Sequence, residues 1–334
     1  MRRAAVLGAG SWGTSLAVHL KRVGHEVSVW ARDPALVADM QARRANAVYL
    51  PEVTLPEGLR VTSSIEESLE GAELVIAAVP SHGTRSVLRR AAPFVHAAAT
   101  IVSATKGLEQ ETLRRTSEII GEELGSDRPI VVLSGPSFAA ELARQKPMAV
   151  CVASKDMDAA ERVQEEFRSR YFRVYASTDV VGVEIGGALK NVIAIAAGAV
   201  EGLGLGQSAL AALITRGLVE ITRLACALGA RRDTLAGLSG LGDLVLTCTG
   251  RLSRNRHVGI ELARGRGIDD ILAGMKMVAE GVRTTSAALA LGQANGIELP
   301  IAEQIGDVLA GRKTVPAAVE ELMLRPQRAE AEAE

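Results

Sequence analysis

Lys190 stands in Gly186-Gly187-Ala188-Leu189-Lys190-Asn191, a lysine among small and apolar neighbours. An ammonium in such surroundings is partly desolvated, which lowers its pKa and suits it to giving or taking a proton. A lysine snorkelling at a helix surface would read the same way from this stretch alone. Asp243 closes Gly240-Leu241-Gly242-Asp243, where a carboxylate is able either to orient that lysine or to cap a helix beginning at Leu244. Ser253-Arg254-Asn255 joins a cap residue to a planar guanidinium fork. That pairing suits a phosphate, and equally a charged helix start. Proton transfer and anion recognition are the chemistries these residues bring within reach.

Three further stretches point to a ligand. Gly8-Ala9-Gly10-Ser11-Trp12-Gly13 matches G-x-G-x-x-G and sits between an apolar run and a helical one. In that context Gly8 permits a tight turn, Gly10 lets a pyrophosphate approach the backbone, and Gly13 allows close helix–sheet packing. A tight strand–helix turn without a ligand is the plainer alternative. Ser103-Ala104-Thr105-Lys106-Gly107-Leu108-Glu109 and Ser134-Gly135-Pro136-Ser137-Phe138-Ala139 each follow a strand-like run. Ligands of parallel sheets gather at the carboxyl ends of strands, so both stretches belong on the cleft rim. After the second strand come Arg32 and Asp33. Arginine there accommodates the 2′-phosphate of NADPH, whereas an acidic residue holds the ribose hydroxyl of NADH. Arg32 favours NADPH, Asp33 leaves NADH possible, and both also read as solvated turn residues. His82 follows a strand end and reads as a turn or cap residue. The histidines form no cluster with carboxylates or cysteines, so no metal site is expected. Neither a G-x-S-x-G elbow nor a Walker A loop is present.

The elements that must position these residues change character along the chain. Short apolar runs alternate with amphipathic ones: Ala4 to Leu7, Glu26 to Trp30, Arg60 to Thr62, Leu74 to Ala78, Thr100 to Ala104, Ile130 to Leu133, Met148 to Ala153 and Phe172 to Tyr175. Strands separated by helices imply βαβ units and a mainly parallel sheet buried on both faces. From about Thr178, helical spacing continues to Leu324, as in Ala209 to Leu228 and Pro300 to Leu309. The expected fold is α/β: an N-terminal Rossmann-like domain over 1–178, an all-helical domain over 179–325, and a charged, flexible tail over 326–334. The strand order is not legible.

The bulk properties fit this division. A chain of 334 residues, 48% hydrophobic, has room for two domains with substantial cores. With aromatics at 3%, those cores must be built from Ala, Val, Leu and Ile. A net charge of −1 favours neither nucleic acid nor an anionic membrane surface. Cys151, Cys226 and Cys248 are scattered, which suggests a reducing, cytoplasmic setting. The apolar run Val192 to Val200 is bounded by charge and reads as a buried helix rather than a membrane span. A Gly/Ala-rich helical half supplies either a core or a homodimer face, and both remain open.

In order and separation these motifs resemble the bacterial-type NAD(P)-dependent glycerol-3-phosphate dehydrogenase family, to about residue 310. The resemblance rests on Gly8–Gly13, Ala104–Glu109, Ser134–Ala139, Gly187-Ala188-Leu189-Lys190-Asn191-Val192-Ile193-Ala194, Gly240–Leu244, Ser253–Asn255 and Glu280-Gly281-Val282. It implies reversible reduction of dihydroxyacetone phosphate to sn-glycerol 3-phosphate, a precursor of glycerophospholipids. By matched position, Lys190 exchanges the proton, and Lys106, Gly135, Ser137, Asp243, Ser253, Arg254 and Asn255 surround the substrate. Ser11, Trp12, Arg32, Tyr49, Lys106, Ala139, Arg254, Val278 and Glu280 would contact NADPH. Two stretches depart from the family pattern. Gly206-Gln207-Ser208 stands where an acidic-Asn pair is usual after glycine, and Cys248-Thr249-Gly250 where Cys-Thr-Ser is common. Two other classes share part of this pattern: a hydroxy-acid or sugar-acid dehydrogenase of similar build, and a non-catalytic cofactor sensor. The Ser-Arg-Asn stretch and the register of both lysines argue against them.

Overall fold

A computed structural model describes residues 2–275, 277–327 and 329–330. Of the expected tail, Arg328 and residues 331–334 lie outside the described residues.

Eight strands form one sheet in the order β10-β9-β8-β7-β6-β1-β2-β5. They are β1 (Arg3–Leu7), β2 (Glu26–Trp30), β5 (Arg60–Thr62), β6 (Leu74–Ala77), β7 (Thr100–Ser103), β8 (Ile130–Ser134), β9 (Met148–Ala153) and β10 (Phe172–Ser177). The remaining strands, β3 (Ala45–Asn46) and β4 (Leu50–Thr54), make a separate antiparallel hairpin. From β5 to β8 all pairings are parallel. Strands β6 and β7 are buried along their whole length, as their unbroken apolar runs require once helices cover both faces.

The sheet departs from parallel at one seam. Strand β9 runs antiparallel to β8, with Ser134 opposite Cys151, and β10 then pairs parallel with β9. The link from β8 turns at Gly135-Pro136 and contains a five-residue helix, Ala139–Ala143. It re-enters the sheet at the rim it left, without crossing a face as a parallel return must. This keeps Ser134–Ala139 at the rim beside the Gly8–Gly13 turn, where Ser15 Oγ donates to the Ala139 carbonyl.

After β10 the chain is helical. Asp179 caps the helix Val180–Gly202 by accepting from the Gly182 N–H at 2.9 Å, and takes the Arg231 N–H at the same distance on its other oxygen. This helix is long and apolar enough to cross a membrane, but 94% of its most apolar window is buried inside the protein. It forms the axis of the second core, surrounded by residues of the Gly206–Ala227, Asp243–Thr249, Arg254–Ala263, Glu280–Asn295 and Pro300–Leu309 helices. Small residues let one neighbour approach backbone to backbone. A Cβ on Gly198 would lie 1.9 Å from the Arg256 carbonyl, and one on Gly259 1.9 Å from that of Ile195. The crossing sets the start of the Arg254–Ala263 helix beside Lys190 and Asn191.

Candidate active site

The Gly8–Gly13 turn links β1 to the helix Ser11–Arg22. Gly8 has φ +119°, and a Cβ there would meet the Ala78 carbonyl at 2.6 Å. A Cβ on Gly13 would lie 1.9 Å from the Gly8 oxygen, so the turn closes on itself only with glycine at both positions. Gly10 faces open space, and no side chain caps the helix that follows. The N–H groups of Ser11, Trp12 and Gly13 therefore remain available to an anion. Trp12 Nε1 is buried without a hydrogen-bond partner among the described residues. Such a cradle fits a dinucleotide pyrophosphate.

Around the turn, Arg32 is exposed just past β2, whereas Asp33 uses its carboxylate to cap the Pro34–Arg43 helix, accepting from the Ala35 N–H at 2.9 Å. Tyr49 is half-buried at the tip of the β3–β4 hairpin, and Val278 is half-buried in the segment before the Glu280–Asn295 helix. Glu280 reaches across from the helical half. Its carboxylate accepts from the Ser81 N–H at 3.1 Å and Ser81 Oγ at 2.6 Å, supplying the cap that the Ser81–Ala91 helix lacks. His82, next in that helix, is exposed, and its pKa is lowered by partial burial and by Arg283, with Arg32 adding to the effect.

Asp243 is a buried carboxylate between two ammoniums. Lys190 Nζ donates to Asp243 Oδ1 at 2.6 Å and Lys106 Nζ to Asp243 Oδ2 at 2.7 Å. Asp243 is 1% exposed and Lys190 6%, so this chemistry sits out of water. Asp243 is thus no helix cap: Gly242 occupies the cap position, and Asp243 lies in the first turn of the Asp243–Thr249 helix. A wide turn over Leu238–Gly242 aims it, and a Cβ on Gly240 would lie 2.0 Å from the Leu235 carbonyl.

The two lysines are not equivalent. Lys106 commits its three N–H donors, to Asp243, the Gly135 carbonyl at 2.8 Å and Ser137 Oγ at 3.2 Å. Lys190 gives one to Asp243 and one to Thr247 Oγ1 at 2.8 Å, with no third partner among the described residues. Burial pushes the Lys190 ammonium down to about 8, against the upward pull of Asp243 and with the help of Lys106. Lys190 thus combines a free N–H with an ammonium that burial pushes down.

Ser253 caps the next helix, accepting from the Arg256 N–H at 3.2 Å. Arg254, half-buried, has its pKa lowered by burial and raised by Glu280. Asn255 is turned inward: Nδ2 donates to Asn191 Oδ1 at 2.8 Å and Oδ1 accepts the Gly281 N–H at 2.9 Å. These bonds tie the Ser-Arg-Asn stretch to the Lys190 helix and to Glu280-Gly281.

The structure therefore gathers Lys106, Gly135, Ser137, Lys190 and Asp243 into one hydrogen-bonded cluster, with Asn255 joined to it through Asn191. Arg32 and Tyr49 stand apart at the outer rim. Sequence reasoning missed Thr247, Asn191 and Ser81. Thr247 was open to detection, because Asp243 and Thr247 share a helix face at i, i+4. Ser81 was not, since its partner Glu280 is 199 positions away. The two departures from the family pattern lie outside the cluster: Gln207 and Ser208 are exposed at a helix start, and Gly250 packs against the Phe138 ring. Among the described residues no group of three His, Cys, Asp or Glu stands where it could hold a metal.

Residues 3–160 match the N-terminal domain of NAD-dependent glycerol-3-phosphate dehydrogenase, and residues 179–320 its C-terminal domain. The chain belongs to the NAD-dependent glycerol-3-phosphate dehydrogenase family. A glycerol-3-phosphate dehydrogenase [NAD(P)+] from Geobacter sp. (strain M21) is 53% identical over 269 residues, 80% of each chain. One from Koribacter versatilis (strain Ellin345) is 52% identical over 275 residues, 81% of each. The crystal structure of glycerol-3-phosphate dehydrogenase from Coxiella burnetii superposes with a TM-score of 0.94 at 41% identity, covering 97% of this chain and 99% of that one. The names of these relatives carry NAD(P)+, so a nicotinamide dinucleotide is the cofactor of this dehydrogenase family.

Proposed function

We propose that the chain interconverts dihydroxyacetone phosphate and sn-glycerol 3-phosphate with NADPH as preferred cofactor, and that the product serves glycerophospholipid synthesis. Residues 1–178 act as the cofactor domain and 179–325 as the catalytic one. The observation that carries the reading is the buried Lys106–Asp243–Lys190 bridge, bonded to the strand-end residues Gly135 and Ser137 and carried on the helix whose Asn191 bonds Asn255.

A bound reduced nicotinamide supplies the hydride for the ketone carbon. Negative charge then gathers on the ketone oxygen. The uncommitted Lys190 N–H meets that oxygen and hands over its proton, while Asp243 and Thr247 hold Nζ in line. Lys106 adds positive potential, with its three donors engaged by Asp243, Gly135 and Ser137. Arg254 takes the phosphate, and that remote binding energy orients the carbonyl. Solvent reloads Lys190 after each turnover. NADPH is favoured because Arg32 is exposed at the end of β2 while the Asp33 carboxylate is spent on its helix cap.

One assay tests the whole reading: oxidation of NADPH and of NADH by the purified chain with dihydroxyacetone phosphate, beside 2-keto acids as competitors. Faster turnover of the phosphorylated ketone, with the lower KM for NADPH, is the expected result. Preference for a keto acid would remove the substrate assignment, and a strong NADH preference would remove the role of Arg32.

A further inference from the structure

Asn46 lies in β3, and its side chain is fully buried. Both amide hydrogens and the amide oxygen are engaged. Nδ2 donates to the Ala9 carbonyl at 2.8 Å and to Thr14 Oγ1 at 2.9 Å, and Oδ1 accepts the Tyr49 N–H at 3.1 Å. The partners fix the amide's orientation, because a carbonyl can only accept and a backbone N–H can only donate.

The bond to Ala9 has a consequence one atom further along. A planar trans peptide points its C=O and its N–H in opposite directions. The Ala9 carbonyl and the Gly10 N–H belong to the same peptide. Drawing the Ala9 oxygen inward to Asn46 therefore turns the Gly10 N–H away from Asn46. Without that bond the peptide sits between two residues that bear at most a methyl, next to a glycine, where rotation is easily tolerated. The other end of the carboxamide holds the Tyr49 hairpin against the same turn.

We propose that Asn46 is a positioning residue for the cofactor: it locks the Ala9–Gly10 peptide so that the Gly10 N–H faces the pyrophosphate, and it docks the Tyr49 hairpin beside it. The inference rests on the reading of Gly8–Gly13 as the pyrophosphate seat. Pyrophosphate is common to NADH and NADPH, so Asn46 acts on both alike, whereas Arg32 acts on the 2′-phosphate alone.

The test uses full-length Asn46→Ala, Asn46→Asp and Thr14→Val. NADPH and NADH are titrated by nucleotide fluorescence without substrate, and thermal unfolding is followed without nucleotide. Loss of one aimed N–H to an anion should raise both Kd values by the same factor, about 10- to 100-fold, in Asn46→Ala. Asn46→Asp should bind more weakly still, because its carboxylate faces the Ala9 carbonyl and repels the anion. Thr14→Val breaks one arm but leaves the Ala9 bond, so it should lower Tm while Kd stays within about threefold of the wild type. If Asn46→Ala does not fold, Asn46→Ser takes its place with the same expected loss. Wild-type binding of both nucleotides by the position-46 variant overturns the proposal. So does equal weakening by Thr14→Val, or a loss confined to NADPH. A wild-type chain that binds both nucleotides yet reduces no phosphorylated ketone defeats the proposed function alone, and the Kd comparison still decides the role of Asn46.

Discussion

At the scale of single residues, the decisive distinction is between two lysines that share one carboxylate. Lys190 keeps a free N–H and a pKa near 8, and Lys106 is tied down. Lys190→Ala should therefore lower kcat by about 1000-fold or more while NADPH binding, read by fluorescence, stays within about threefold. Near-normal turnover by the folded variant would end its role. The same pKa gives the reaction a pH signature. Ketone reduction needs the ammonium, so its kcat/KM should fall about tenfold per pH unit above 8. Alcohol oxidation needs the free amine, so its kcat/KM should rise through the same region and level off above it. Profiles in both directions that lack this mirror image would assign the proton to another group. Arg254→Ala should raise KM for the phosphorylated ketone by about 100-fold, the worth of a charge-assisted pair, and an unchanged KM would place the phosphate elsewhere. Lys190 and Asp243 were legible as candidates because each charge interrupts small or apolar sequence, and Arg254 because it follows a helix-capping serine. What the sequence could not convey was their division of labour. The Lys106–Asp243 contact joins positions 137 apart, and the difference between the lysines is a count of occupied donors.

At the scale of elements, glycine placement controls the geometry. The Arg254–Ala263 helix crosses Val180–Gly202 so closely that Gly259 and Ile195 nearly touch through their backbones. Gly259→Ala must push the helices apart, and should cost about 3 kcal/mol in chemical denaturation together with a loss of kcat/KM, since Arg254 and Asn255 ride on the displaced helix. Full stability in that variant would show that the crossing yields freely. The main strands were legible because continuous apolar runs leave a strand buried on both faces few alternatives. The β3–β4 hairpin was not, because Leu50-Pro51-Glu52-Val53-Thr54 buries its first and fourth residues instead of alternating. The reversal at β9 was hidden for a different reason. Strand direction depends on where the connection re-enters the sheet, and a βαβ crossover and a rim-hugging loop both read as strand–helix–strand.

At the scale of the whole molecule, the two halves are stitched at several points away from the chain crossing. Glu184 of the long helix accepts the Ser117 N–H at 2.8 Å and pairs with Arg115 at 2.9 Å, Glu280 caps the Ser81–Ala91 helix, and Asp243 bonds Lys106. Partner residues separated this far in sequence make loss of one half costly to the other. Heat inactivation should therefore follow global unfolding, with activity and far-UV circular dichroism falling in one transition; activity lost well below the main transition would show that the cleft opens first. The feature behind this expectation is the Val180–Gly202 helix, which is at once the axis of the second core and the carrier of Lys190. Enzymes commonly mount their reactive groups on loops, where they can be exchanged without disturbing the scaffold. Here the proposed proton donor, Lys190, is set into the keel. On the proposed roles, a lineage that inherits this arrangement is free to retune cofactor choice at Arg32 or substrate grip at Arg254, both more exposed than Lys190, but moving the proton donor would mean rebuilding the hull around it.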